Sequence, residues 1–245
     1  MRLTIALICV AVLFGILLFS IRLRRGPESP AREFWRRVNA WYCKIFHRLR
    51  RKGLCLVPAA GPAIVVANHT SPIDPLLLQS TCPRLISFMM AREYYEVKAF
   101  SWLFSMVRAI PVNRSGTDTA AAKAALRALG EGRVVGIFPE GRIARGQDVK
   151  IRPGVAMMAA RYKVPIVPAH ISGTRKTNSL KAAFFIPSAA LVRYGEPMVL
   201  DELGEDPSRE QLQESADRIM ASIRALAEPN GEEQGVSSEV RINEK

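Results

Sequence analysis

Apolar and polar residues from position 53 onward follow two alternating spacings, one typical of buried strands and one typical of helices. Short apolar runs predict strands near residues 64–67, 86–90, 109–112, 134–138, 165–171 and 190–194. Stretches with helical spacing predict helices near residues 76–78, 98–107, 117–129, 154–162 and 208–227. This alternation is typical of an α/β fold, so we predict one domain at residues 53–228, with a mixed sheet flanked by helices.

Two predicted helices carry capping signals at their ends. Gly130 follows an alanine-rich helix and is a candidate C-cap. Ser208 precedes the last helix, and Gln211 completes a capping box with it. Residues 229–245 are polar and lack periodicity, so we predict a disordered tail there.

Residues 3–20 form an uncharged apolar segment, about long enough for a helix to cross a bilayer core of roughly 30 Å. We therefore predict a membrane anchor helix within residues 1–25. No small-residue cleavage site follows the segment, which distinguishes it from a signal peptide. Instead, a basic flank follows, and this bias predicts that the rest of the chain lies in the cytoplasm. A helix that dips into one leaflet without crossing is the alternative.

The pattern at residues 31–52 predicts an amphipathic helix. Its apolar stripe is rich in aromatic side chains, including Trp35, Trp41 and Tyr42, while basic residues occupy the intervening positions. Aromatic residues beside basic ones are typical of a helix at an anionic lipid surface, and we favour that interpretation. The alternative is an ordinary surface helix that packs on the core.

The formal net charge of +13 indicates an anionic partner: nucleic acid, an anionic bilayer or a phosphorylated substrate. Much of the excess lies in the predicted amphipathic helix, which favours a membrane over nucleic acid. No GxGxxG motif is present, and residues 173–177 lack the first glycine of a P-loop. These patterns exclude a dinucleotide fingerprint and a nucleoside triphosphate site of the usual kinds.

The cysteines and two of the histidines indicate no further site. Cysteine positions 9, 43, 55 and 82 have neither CxxC pairing nor metal-ligand spacing, so we predict no disulfide framework, no zinc site and a reducing compartment. His47 and His170 lack an acidic neighbour at a suitable spacing, so we predict structural roles for both.

The first polar motif, NHTSPID, spans Asn68 to Asp74 and follows the strand at 64–67. An imidazole can remove a proton from a hydroxyl at neutral pH when a second group fixes its tautomer, and Asp74 is a candidate for that group beside His69. Because no protein nucleophile is needed when the substrate supplies the attacking oxygen, the pair suits acyl transfer to an alcohol. The alternative is structural, with Asp74 as a helix N-cap before Pro75.

The second polar motif, FPEGRIAR, follows the strand at 134–138. Gly141 would allow close approach of the backbone to a ligand, and Glu140 would fix an arginine or accept a substrate hydroxyl. The basic side chains that follow suit a phosphate, namely Arg142, Arg145, Lys150 and Arg152. Arg114, after the strand at 109–112, is another candidate phosphate ligand. Solvated turns are the alternative at both places.

These motifs resemble those of the glycerolipid acyltransferase family, whose plsC-type members convert lysophosphatidic acid to phosphatidic acid. In that family an HxxxxD block supplies the catalytic pair, which matches His69 and Asp74, and a later arginine that contacts the glycerol phosphate matches Arg114. A VPIVP block matches residues 164–168. An FPEG block completes the substrate site and matches Phe138, Pro139, Glu140 and Gly141. The blocks occur in the family's order across roughly residues 55–200.

The resemblance implies a single acyltransferase domain with membrane-bound O-acyltransferase activity. His69, oriented by Asp74, would remove the proton from the sn-2 hydroxyl of lysophosphatidic acid as it attacks an acyl thioester, either acyl-CoA or acyl carrier protein. No metal or other cofactor is implied. The implied substrate-binding residues are those of the FPEG block with Asn68, Arg114, Arg142, Arg145 and Lys150. Where the family often reads FPEG-Thr-Arg-Ser, Arg142 here follows Gly141 directly, so either Arg142 or Arg145 would bind the phosphate.

Other functions stay open at the level of sequence. The same chemistry would suit another lysophospholipid or a lyso-aminolipid as the acceptor. A non-catalytic membrane protein that binds anionic lipid through the basic helix is an alternative of another class. The oligomeric state is also open.

Overall fold

The computed structural model describes residues 30–96, 101–113, 119–141, 143, 153–204 and 206–227 of the chain. The predicted anchor helix at 1–25 and the predicted tail at 229–245 lie outside these residues. Of the helices within the described ranges, none is both long and apolar enough to cross a bilayer.

Helices and strands alternate along the described chain, as predicted. The strands are β1 (Arg50–Lys52), β2 (Ala63–Ala67), β3 (Ile86–Ala91), β4 (Ile110–Val112), β5 (Val134–Ile137), β6 (Ile166–Ser172) and β7 (Leu191–Tyr194). The helices are α1 (Pro30–Ile45), α2 (Asp74–Thr81), α3 (Arg92–Tyr95), α4 (Ser101–Met106), α5 (Thr119–Gly130), α6 (Gly154–Tyr162), α7 (Leu180–Phe185) and α8 (Arg209–Ala225).

The seven described strands form one sheet in the order β1-β7-β6-β2-β5-β3-β4. Neighbouring strands are parallel except β6 and β7, which pair antiparallel, so the prediction of a mixed sheet is confirmed. β2 lies between β6 and β5. Because these three strands are parallel, the loops that follow them emerge side by side at the same edge of the sheet.

The side chains of β2 alternate between two hydrophobic cores, one on each face of the sheet. Val65 and Ala67 belong to the core beneath α1 and α2, whereas Ile64 and Val66 belong to the core beneath α5, α6 and α8. All five residues of β2 are buried. A strand covered on both faces has no polar alternation, which is why its sequence is a continuous apolar run.

A glycine in β5 makes room for an aromatic ring of β3. Gly136 pairs with Phe88 in the sheet. A Cβ atom at Gly136 would overlap the Phe88 ring and would lie 2.7 Å from Ile86 Cγ2. The Phe88 ring therefore packs directly on the β5 backbone, and its position depends on glycine at residue 136.

Helix α1 has one face on the protein and another in solvent. Asn39 Nδ2 donates a hydrogen bond to Leu76 O at 2.9 Å, and Cys43 is buried in the core. On the other face, the Trp41 and Ile45 side chains are 66% and 56% exposed. The helix thus packs on the core, as in the alternative interpretation, and also presents exposed apolar side chains, whose contact with a lipid surface stays a prediction.

Differences from the sequence predictions concern short or exposed segments. The predicted helix at 31–52 ends at Ile45, and its last residues form β1 instead, because Arg48 adopts a left-handed turn conformation and the chain then pairs with β7. Helices α3 and α7 have no counterpart among the predictions.

The capping box of α8 is confirmed, since Ser208 Oγ accepts from Gln211 N while Gln211 Oε1 accepts from Ser208 N.

The two edge strands of the sheet are short, with three residues each. Strand β1 consists of Arg50, Arg51 and Lys52, and all three residues are exposed. Strand β4, at the opposite edge, has Pro111 at its centre. Proline has no N–H group, so this position offers no backbone donor.

Candidate active site

Asn68 continues the pairing of β2 with β6 beyond the end of β2. Its Nδ2 donates to Ile171 O at 2.9 Å, and Ile171 N donates to its Oδ1 at 2.7 Å. The side-chain amide thus takes the place of a backbone pair and fixes the chain just before His69. The sequence predicts substrate binding by Asn68. In the structure, both polar groups of this side chain bond to Ile171, so a direct contact with substrate stays a prediction.

His69 and Asp74 form a hydrogen-bonded pair. His69 Nδ1 lies 3.0 Å from Asp74 Oδ2, and the same oxygen accepts from Thr70 N at 2.7 Å and from Ser71 N at 2.9 Å. The Asp74 side chain is fully buried, whereas the His69 side chain is 16% exposed. An ionised carboxylate can only accept hydrogen bonds, so His69 Nδ1 must carry the proton of the bond to Asp74. This tautomer leaves Nε2 as the acceptor nitrogen.

The interpretation of Asp74 as a helix N-cap is wrong. The N-cap residue of α2 is Ile73, and the cap has no side-chain hydrogen bond. The Asp74 carboxylate bonds backward to the loop that carries His69, through Thr70 N and Ser71 N. Asp74 therefore holds this loop and the imidazole together.

Phe138, the first residue of the FPEG segment, fixes the plane of the imidazole. Its ring stacks on His69 with a centroid distance of 4.1 Å and an interplanar angle of 17°. Phe88 stacks with Phe138 in turn, at 5.8 Å and 13°. The space left at Gly136 therefore positions Phe88, Phe138 and, through them, the orientation of His69.

Glu140 places a second buried carboxyl group beside the pair. The residue is 9% exposed, and its Oε2 has no hydrogen-bond partner among the described residues. Burial raises the pKa of Glu140, opposed by the backbone N–H and the imidazole of His69, while the nearby Asp74 carboxylate raises it further. Gly141 follows with φ of 66° and donates its N–H to Phe138 O at 2.9 Å, so the FPEG segment is a tight turn that folds this carboxyl inward.

The structure brings together the residues of the first motif with the FPEG segment, including the buried Pro139. The other predicted substrate-binding residues, Arg114, Arg142, Arg145 and Lys150, lie outside the described residues. The described part of the site thus contains His69, the Asp74 carboxylate and the aromatic stack.

A loop after β6, residues 173–177, also contacts the His69 loop, and the sequence patterns do not predict this contact. We call this segment the β6 loop. Thr174 Oγ1 lies 2.9 Å from Thr70 Oγ1, and Thr177 N donates to Thr70 O at 3.3 Å. The available sequence signal is its position directly after a buried strand, the same position that the other two motifs occupy.

Of the other two histidines, His47 contributes to structure, as predicted, whereas a structural role for His170 stays a prediction, since its buried Nδ1 has no hydrogen-bond partner among the described residues. His47 is buried, and its ring nitrogens lie 2.8 Å from Ser188 Oγ and 3.0 Å from the Tyr42 hydroxyl. Burial lowers the pKa of His47. His170 lies on β6, and its pKa is lowered by burial and by the nearby Arg193.

The residues of this site lie within a match to a known protein family. The sequence pattern of the acyltransferase family matches residues 48–172, just over half of the chain. The 1-acyl-sn-glycerol-3-phosphate acyltransferase of Bacillus subtilis is 26% identical over 171 residues, which cover 69% of this chain and 83% of that protein. The yeast Saccharomyces cerevisiae protein of the same name is 24% identical over 182 residues, covering 69% of this chain and 57% of its own.

The fold has a counterpart among solved structures. The crystal structure of the 1-acyl-sn-glycerophosphate (LPA) acyltransferase, PlsC, from Thermotoga maritima matches with a TM-score of 0.66 at 22% identity. The match covers 89% of this chain and 88% of that one. The likeness identifies the α/β acyltransferase fold, with its mixed sheet flanked by helices. The family pattern covers β2, His69, Asp74 and the FPEG segment. The chain therefore belongs to the acyltransferase family and is a transferase enzyme.

Proposed function

We propose that the enzyme transfers an acyl group from an acyl thioester to the sn-2 hydroxyl of lysophosphatidic acid, which gives phosphatidic acid. The observation that carries the proposal is the His69–Asp74 pair, in which the buried carboxylate holds Nδ1. Nε2 forms no hydrogen bond with another described residue, so it is available to a substrate. A base without a protein nucleophile suits attack by a substrate hydroxyl. The names of the Bacillus subtilis and yeast relatives support the same acceptor.

In the proposed reaction, His69 Nε2 takes the proton of the acceptor hydroxyl as that oxygen attacks the carbonyl carbon of the thioester. A C–O bond forms and the C–S bond breaks, so the immediate products are an ester and a thiolate. The thiolate takes the proton back from His69 and leaves as a thiol, which restores the neutral imidazole. Asp74 stabilises the intervening imidazolium through the hydrogen bond of 3.0 Å to Nδ1.

The acceptor phosphate would bind on the β5 side of His69. In lysophosphatidic acid, only a methylene and an ester oxygen separate the phosphorus from the carbon that bears the hydroxyl, so the phosphate must lie close to the base. Strand β5 pairs directly with β2, and the FPEG turn after it contacts His69. The proposed phosphate ligands follow this turn or β4 in sequence, namely Arg114, Arg142, Arg145 and Lys150. Glu140 would fix one of the arginines.

The reaction would take place at an anionic membrane surface. Trp41 and Ile45 on α1 are exposed, and Phe185 on α7 is 78% exposed. The Tyr42 hydroxyl donates to Phe184 O at 2.7 Å, so these apolar side chains belong to adjoining helices. Exposed aromatic residues beside the basic residues of α1 are typical of a helix at the headgroup boundary. The predicted anchor helix would hold this region at the bilayer, with the catalytic domain on the cytoplasmic side.

The test is a transfer assay with the purified full-length protein in detergent micelles. A panel of lyso-lipids is offered with acyl-CoA or acyl carrier protein as the donor, and the lipid products are identified by mass spectrometry. Lysophosphatidic acid should be acylated faster than any other acceptor. A faster reaction with another lysophospholipid or with a lyso-aminolipid would move the assignment to that acceptor, and the absence of any acylated lipid would overturn it.

Two histidine variants test the role of the base. His69→Ala should lower the rate by at least about 100-fold, because a positioned general base contributes about 10²- to 10⁴-fold. His170→Asn is the matched control, since His170 lies on β6 outside the pair, and its rate should be unchanged. Retained activity in His69→Ala would remove His69 from the mechanism.

A further inference from the structure

The β6 loop lies on the side of His69 opposite the proposed acceptor site. Strand β2 pairs with β5 on one side and with β6 on the other, and all three are parallel. The FPEG turn after β5 and the β6 loop after β6 therefore flank the loop that carries His69. Since neighbouring strands are about 4.8 Å apart, the two flanking segments start about 10 Å from each other. A ligand held by each would approach the base from a different side.

The β6 loop is fixed relative to the base. Thr174 and Thr177 bond to Thr70, the residue after His69, at 2.9 Å and 3.3 Å. At the start of the loop, Gly173 has φ of 73°, and a Cβ atom there would overlap Ala189 O. Only glycine allows both this conformation and this close approach. The loop is therefore held at both of its ends.

Two cations without an acidic partner among the described residues lie between these anchors. Arg175 and Lys176 are exposed, and neither side chain has an ion pair or hydrogen bond with another residue in the described part of the chain. The sequence contains no acidic residue between Asp148 and Glu196. An arginine next to a lysine, in a stretch of sequence without acidic residues, is suited to bind phosphate groups.

The distance between the phosphate and the reacting atom within each substrate decides which phosphate this loop would bind. The phosphate of lysophosphatidic acid must lie close to the base, because so few atoms separate it from the reacting hydroxyl. The phosphates of acyl-CoA lie at the far end of the pantetheine arm, away from the thioester. Exposed side chains that extend from an anchored loop beside His69 suit the more distant group. Both substrates must also be bound together, and the β5 side is assigned to the acceptor.

We propose that Arg175 and Lys176 of the β6 loop bind the phosphates of the acyl-CoA donor and so guide its thioester to His69. The proposal rests on the proposed function, because it assumes a pantetheine-linked acyl donor. It assigns a donor-binding role to a loop that carries no part of the base or of the FPEG turn.

The test compares donor kinetics in the full-length protein. The double variant Arg175→Ala/Lys176→Ala should raise the KM for acyl-CoA by about tenfold, as expected when charge-assisted phosphate contacts are lost at an exposed site. Its KM for the acceptor should be unchanged. Its rate with the same acyl chain on unphosphorylated pantetheine should also equal that of the wild type, since this donor has no phosphate to bind.

The matched control is Lys123→Ala/Arg127→Ala on α5, which removes the same two residue types from exposed positions. This control should leave the KM for acyl-CoA unchanged. An unchanged KM for acyl-CoA in the β6 loop variant would overturn the proposal. So would a raised KM for the acceptor alone, because that result would assign the loop to the acceptor phosphate.

A binding measurement separates this proposal from the proposed function. CoA itself is titrated calorimetrically into the wild type and the double variant without any acceptor. Weaker binding by the variant supports the donor site even if lysophosphatidic acid proves not to be the acceptor. Equal binding overturns the donor site even if phosphatidic acid is formed. Acyl carrier protein serves as a further donor: a raised KM there assigns the loop to the phosphopantetheine phosphate, and an unchanged KM assigns it to the nucleotide phosphates.

Discussion

Replacing Asp74 with asparagine tests the electrostatic role of the pair without removing its hydrogen bonds. The amide oxygen of Asp74→Asn can still accept from Thr70 N and Ser71 N, which lie 2.7 Å and 2.9 Å from the carboxylate oxygen. The variant loses the negative charge that stabilises the imidazolium of His69, and its amide NH2 replaces the buried Oδ1, which has no hydrogen-bond partner among the described residues. We therefore expect kcat to fall while the fold is preserved.

The geometry of the pair sets the size of the effect. At the observed separation of 3.0 Å and an effective dielectric constant of about 20, the attraction between imidazolium and carboxylate is about 5.5 kcal/mol. Hydrogen bonds to charged groups contribute about 1.5–3 kcal/mol by mutation. Asp74 is fully buried and His69 mostly so, so we expect a loss of about 3–4 kcal/mol, between these two figures. With a tenfold rate change for each 1.36 kcal/mol, kcat should fall about 10²- to 10³-fold.

The assay measures thiol release at saturating donor and acceptor, together with the thermal unfolding midpoint. Asp217→Asn is the control, because Asp217 is exposed on α8 and bonds only to Gln213 among its described neighbours. Its kcat should match the wild type. If Asp74→Asn keeps kcat within about threefold of the wild type with an unchanged midpoint, the carboxylate does not stabilise the imidazolium.

Asp74→Ala should unfold more easily, because each buried N–H left without a partner costs about 1–3 kcal/mol.

Three further perturbations follow from the structure. Gly136→Ala should displace the Phe88 ring and so disturb the stack on the base, which should lower kcat about tenfold and lower the unfolding midpoint by several degrees, since overpacking costs about 1–3 kcal/mol. Burial lowers the pKa of His47 below 6.5, so the unfolded chain binds its proton more tightly and stability falls as the pH drops below about 6.5; His47→Gln should flatten this decline in melting scans across pH. Trp41→Ser with Phe185→Ser should slow acylation in anionic vesicles several-fold but not in detergent micelles, and equal rates in vesicles would contradict membrane contact by α1 and α7.

The parts of the fold that the sequence predicts are those with buried apolar runs. Strand β2 is covered on both faces, so its residues 63–67 stand out as a continuous apolar segment. Strand β1 is paired by backbone groups alone, and its exposed basic residues look like the end of a helix. Helix α7 escapes prediction because it is short and one of its two phenylalanines, Phe185, is exposed.

The site was predictable in its residue types but not in its contacts between distant segments. The spacing of His69 and Asp74 indicates a pair, yet only the structure shows that the carboxylate bonds backward to Thr70 and Ser71 and not into α2. The bond between Asn68 and Ile171 joins residues far apart in sequence. Such contacts depend on strand order, which hydrophobic spacing leaves undetermined.

The composition of the two edge strands bears on how this enzyme avoids aggregation. An exposed sheet edge is a template for pairing with another chain, and charged side chains or a proline at the edge oppose such pairing. Strand β1 presents Arg50, Arg51 and Lys52, so a second copy that approached this edge would meet like charges. Strand β4 has Pro111 at its centre, which interrupts the row of backbone donors at the opposite edge. Confinement to a bilayer surface would raise the encounter rate between copies, and these two edges would keep such encounters from becoming permanent strand exchange.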